Sequence, residues 1–95
     1  MTYHIAFYKF TALSEVDAVV TRLRELTAPL LGSILVASEG INGMLAGTAE
    51  QLDAFELNLQ NDAAFGDSFK GTVFKRTQCE TPPFKRMKVH AKAEI

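Results

Sequence analysis

The chain has 95 residues, 47% of them hydrophobic and 22% charged, which suits one small domain with its own core and excludes a disordered segment. Its one cysteine, Cys79, excludes a disulfide framework or a cysteine-based zinc site within one chain and fits a reducing cytoplasm. The net charge of -1 hides a split: seven of the ten Lys/Arg fall in residues 66–95, while residues 1–65 are acidic.

That split suggests a polyanion or an acidic partner met by the C-terminal third. A solvated surface that only keeps the chain soluble is the plainer alternative. Met1-Thr2-Tyr3-His4 does not begin a signal peptide, and no apolar run approaches the roughly 18 residues that span a membrane, so no membrane partner is expected.

Tyr3 to Phe10 is rich in aromatic and β-branched residues and reads as a strand. Tyr3, Ile5 and Phe7 share one face; His4, Ala6, Tyr8 and Phe10 share the other. Apolar on both sides, it is expected to be central. Tyr8 and Phe10 could stack bases on an open sheet face, as RNA-recognition motifs do, but the RNA-recognition consensus Lys/Arg-Gly-Phe-Gly-Phe is missing, so a core role is expected for them. Ser14 is placed to cap a helix, with Asp17 in its first turn. Val16, Val20, Leu23 and Leu30, with Val19 and Leu26, trace its apolar stripe, and Pro29 ends it near Thr27.

Ser33 to Gly47 holds two apolar runs, Ile34 to Ala37 and Met44 to Ala46. Between them lie Glu39, Gly40, Ile41, Asn42 and Gly43, which read as the loop of a bulged hairpin. Turn chemistry alone explains such a loop. A rigid tip holding Glu39 and Asn42 out to a ligand or another domain explains it equally. Thr48-Ala49-Glu50-Gln51 is a capping-box pattern, and Leu52, Phe55 and Leu59 follow at helical spacing to about Asn61. Thr72 to Gln78 reads as a strand that Pro82-Pro83 follows. Arg86 to Ala93 alternates: Arg86, Lys88, His90 and Lys92 on one face, Met87, Val89, Ala91 and Ala93 on the other. It is a candidate fifth strand, with a linker as the alternative.

Strand, helix, strand, strand, helix, strand is the split βαβ order of an α+β, ferredoxin-like (acylphosphatase-like) fold. It predicts an antiparallel sheet with both helices on one face, the other face being open to solvent or a partner. Val20, Leu23, Leu52 and Phe55 are expected in the core.

No catalytic set emerges. His4 and His90 lie far apart, neither helix follows a glycine-rich phosphate loop, and no metal site is expected. Acylphosphatases carry a glycine-rich, arginine-bearing loop after the first strand; here Phe10-Thr11-Ala12-Leu13 has neither residue. Cys79 has no fixed basic neighbour except Arg76, so a structural role is expected over a nucleophilic one. The strongest chemical hint is Lys75, Arg76, Lys85, Arg86, Lys88 and Lys92, basic groups interleaved with aromatic and apolar residues and suited to phosphates of RNA.

Ala37-Ser38-Glu39-Gly40-Ile41-Asn42-Gly43, Pro83-Phe84-Lys85-Arg86-Met87-Lys88-Val89 and Lys92-Ala93-Glu94-Ile95 together resemble the N-terminal domain of the rhodanese-related tRNA uridine hydroxylase family. The resemblance covers the whole chain. It implies a single domain, residues 1–95, at the start of a longer protein whose following rhodanese domain carries the essential cysteine. The parent activity it implies is oxygen-dependent hydroxylation of the wobble uridine of tRNA, with molecular oxygen consumed by the parent enzyme. This domain would then be non-catalytic and without a cofactor. It would help to bind or position tRNA, or else dock on the rhodanese domain without touching RNA.

Overall fold

The structure, a computed structural model, describes residues 1–93; Glu94 and Ile95, the end of the last family-like motif, lie outside the described residues. The elements run β1 (Thr2–Phe10), α1 (Val16–Leu26), β2 (Leu31–Ala37), β3 (Gly40–Gly47), α2 (Ala49–Asn61), a 3-10 turn (Ala63–Phe65), β4 (Val73–Cys79) and β5 (Met87–Ala91). The sheet order is β4-β1-β3-β2-β5. β1 is central, as its sequence predicts, and the fold is the α+β, acylphosphatase-like ferredoxin arrangement.

Two details differ from the expectation of a purely antiparallel sheet with a long hairpin loop. The segment after Arg86 is a strand, but β5 pairs in parallel with β2, which makes the sheet mixed. Gly32 donates its amide to the Arg86 carbonyl and Lys92 donates to Val36, so the strand is fastened at both ends. Arg24 on α1 donates to the Val89 carbonyl, tying the helix layer to this edge. The hairpin turn is also shorter than predicted. Ala37 pairs with Gly40, leaving Ser38 and Glu39 between the strands, and Gly40 to Gly43 belong to β3.

Both helices cover one face. Ile5 and Phe7 of β1, Leu23 of α1 and Leu52, Phe55 and Leu59 of α2 share one core cluster, and Val20, Leu23, Leu52 and Phe55 are buried as expected. Phe7 lies 5.7 Å from Phe55 and 5.3 Å from Phe74, ring centre to ring centre, in tilted contacts favourable for aromatic pairs. Thr48 caps α2 with the full capping box: its hydroxyl accepts from the Gln51 amide and its own amide donates to the Gln51 side chain. Ser14 does not cap α1. The helix begins at Val16, Glu15 is the flanking residue, and no side chain accepts a bond from its first turn. At the other end Thr27, fully buried, donates to the Leu23 carbonyl at 2.7 Å and closes the helix just before Pro29.

Candidate functional site

The uncovered face of the sheet is set by strand alternation. With Ile5 and Phe7 turned to the helices, His4, Ala6, Tyr8 and Phe10 turn away from them. Tyr8 is 64% exposed and Phe10 67%, which corrects the expectation that they are core. A strand apolar on both faces reads as doubly covered. Here nothing among the described residues covers the second face.

The register arranges this face in rows. One row crosses the whole sheet as Lys75, Ala6, Met44, Ser33 and Lys88, a lysine on each edge strand. Four strand spacings put its ends roughly 19 Å apart. The next row is Val73, Tyr8, Asn42, Leu35 and His90. Neither row contains a carboxylate. The acids lie elsewhere: Glu15, Asp17 and Glu25 at and on α1, Glu50, Asp53 and Glu56 on α2, Glu39 in the hairpin turn, Asp62 and Asp67 after α2, and Glu80 just after β4. The two rows of the open face thus carry lysines without carboxylates, while the carboxylates of the helices are accompanied by Arg22, Arg24 and Arg76.

The sequence-predicted basic residues do not form one cluster. Lys75 and Lys88 occupy opposite edges of the open face, and Lys85, Arg86 and Lys92 are exposed beside β5. Arg76, the neighbour of Lys75, turns to the helix side because alternation sends it there. Its guanidinium meets Glu56 at 2.8 Å and Asp53 at 2.9 Å. The hydrogen bond to Glu56, ahead of the one to Asp53, holds it more firmly protonated than usual. Its charge is locally matched, and the structure separates it from the open-face set.

The glycine-rich motif is mainly structural. Gly40 has φ +146°, and a Cβ there would sit 2.1 Å from the Lys9 carbonyl oxygen, so only glycine lets β1 and β3 close at this point. A Cβ on Gly43 would come within 2.6 Å of the Phe7 ring, and Ile41 between them is fully buried. Of the five residues, Asn42 reaches the open face, opposite Tyr8, and Glu39 lies exposed in the turn. The Thr11 and Leu13 amides donate to the Glu39 and Ser38 carbonyls, so these donors after β1 are turned into the hairpin and not toward a phosphate. No group of three or more His, Cys, Asp or Glu among the described residues could hold a metal ion. No helix among them is long and apolar enough to cross a membrane.

A hollow of about 590 Å³ opens on the sheet between β1, β3 and β4. Tyr8, Met44, Val73 and Gly71 line it, with Lys9 and Lys75 among its walls. Sequence reasoning missed it. The available signal was the doubly apolar pattern of β1 combined with a fold that supplies helices for one face only.

A family model described as "UPF0176 acylphosphatase like domain" matches residues 2–95. A tRNA uridine(34) hydroxylase of Nitrobacter winogradskyi is 44% identical over 92 residues, covering 95% of this chain and 36% of that protein. One from Cupriavidus metallidurans is 45% identical over 94 residues, covering 97% of this chain and 32% of that protein. The chain therefore spans about a third of the length of the curated relatives it matches. Among solved structures, the BLUF protein BlrB in its dark state aligns with TM-score 0.71 at 10% identity, over 95% of this chain and 72% of that one. An acylphosphatase from Bacillus subtilis aligns with TM-score 0.55 at 14% identity, over 95% and 99%. These two likenesses establish the fold alone.

Proposed function

Because the chain belongs to the family of UPF0176 acylphosphatase-like domains, we propose that it is the non-catalytic N-terminal domain of a cytoplasmic tRNA uridine hydroxylase and that it helps to bind and position tRNA. The relatives' name supplies the parent reaction. The hydroxylation and its molecular oxygen then belong to the part of the protein these residues do not include, a rhodanese domain in the family resemblance. One observation carries the role of this domain: a sheet face with cations on both edges and no carboxylate in either full row. Lys and Arg on such a face neutralise RNA phosphates and release counterions, so binding should weaken as salt rises.

The test is a titration of tRNA into the chain by fluorescence anisotropy at low and moderate salt. The variant Lys85→Glu, Arg86→Glu, Lys88→Glu should bind more weakly, with a shallower salt dependence. Unchanged binding at both salts rejects the role of these residues. A second reading draws on the exposed Tyr8, Phe10 and Val73: the same face docks on the catalytic domain. It prevails when the triple variant of the longer protein binds tRNA normally while its two domains separate.

A further inference from the structure

We propose that the open sheet face is a stacking platform for unpaired nucleotides, with Tyr8 and Phe10 each taking a base and the adjoining hollow receiving the backbone between Lys9 and Lys75. The inference deepens the tRNA reading and rests on it. It says which part of the tRNA is held: a single-stranded segment rather than a helix.

Tyr8 and Phe10 are two residues apart on the central strand and so project side by side from one face. Their ring centres are 5.5 Å apart and the planes are inclined by 58°, a tilted contact in which the rings are not stacked face to face on each other. They are about two-thirds exposed, an uncommon cost for large aromatic side chains unless a partner covers them. Beside Tyr8, the hollow is lined by the exposed Met44 and Val73 and by Lys9 and Lys75. A base has a π-face for each ring, and its phosphates match the lysines. An acidic peptide would use the lysines, but a single strand of nucleic acid carries a planar ring and a negative charge in every unit. Single strands expose base faces for stacking, whereas a duplex hides them.

The experiment measures affinity of the chain for an end-labelled, unstructured single-stranded RNA and for the duplex made from the same strand. Tyr8→Ala and Phe10→Ala should each weaken single-strand binding roughly tenfold, the usual range for one lost stacking contact. The salt slope should stay as in the wild type, because no charge is removed, and Tyr8→Phe should bind normally. Duplex affinity should not change. Both rings are exposed, so melting temperatures should hold; should Phe10→Ala melt early, Phe10→Leu replaces it. Wild-type affinity in the Tyr8→Ala, Phe10→Ala double variant overturns the platform while salt-dependent binding keeps the tRNA reading. Absence of any RNA binding by the wild type at low salt overturns both. If the wild type self-associates and the double variant abolishes that without changing RNA affinity, the face is a protein interface and the platform is overturned.

Discussion

The two faces of the sheet are built from the same strands, and one is buried under the helices while the other is exposed. On β1, Ile5 and Phe7 disappear beneath α1 and α2, while Tyr8 and Phe10 remain exposed on the opposite face. On β4, Arg76 is held by Glu56 and Asp53 of α2, while Lys75, one residue earlier, looks over the open hollow. Alternation thus separates the packed side chains from the exposed ones at single-residue resolution. A substitution on one face should leave the property of the other almost untouched.

The largest test of that separation is Phe55→Ala. The side chain is 1% exposed and packs on Phe7, so its truncation should cost about 3–5 kcal/mol in chemical unfolding. Tyr8→Ala on the opposite face should stay within about 0.5 kcal/mol of the wild type. Comparable losses from the two would break the division. Next comes Gly40→Ala, which puts a methyl against the Lys9 carbonyl at a positive φ and should cost at least about 1–3 kcal/mol in the same measurement.

The glycine result bears on how much of the molecule its sequence displays. Helix boundaries were legible where local chemistry sets them, as at Thr48 with its capping box and at Thr27 before Pro29. Core positions were legible where periodicity was clean, as for Leu52, Phe55 and Leu59. Glu39 to Gly43 misled because glycine and asparagine usually mark turns; here Gly40 and Gly43 lack a Cβ so that β1 and the Phe7 ring can press close. Arg76 misled for a different reason. Its sequence neighbours are basic, and only the packing of α2 across the sheet brings Asp53 and Glu56 to it. The pairing of β5 in parallel with β2 is likewise a tertiary choice that alternation cannot reveal.

A smaller effect sharpens the comparison on β4. Arg76→Ala should lower stability by roughly 0.5–1 kcal/mol, as two part-exposed ion pairs are lost, and should leave RNA affinity unchanged. Lys75→Ala should do the reverse, reducing the salt slope of RNA binding by about one. Paired titration and melting data on the two variants decide this.

The smallest expected effect is on pH. Arg22 donates to Asp62 at 2.6 and 3.0 Å, and the Ala64 amide adds a third bond, so the Asp62 carboxyl is held below the usual carboxylate range. A depressed folded-state value means stabilisation that is fully present above the unfolded value of about 3.9 and is lost as pH falls through the folded value. Melting temperature measured down from neutral pH should therefore begin to drop near pH 4, and Arg22→Gln should make that drop shallower. RNA affinity at neutral pH should not respond to Arg22→Gln, since the pair lies on the helix side.

The central claim is that RNA meets the open sheet and not the helices. Methyl NMR during titration with tRNA tests it most directly. Ala6, Met44 and Val73 report on the open face; Leu57, 66% exposed on α2, reports on the helix side. With RNA on the open sheet, Ala6, Met44 and Val73 should shift and broaden while Leu57 stays in place. Shifts at Leu57 with a silent open face would contradict it.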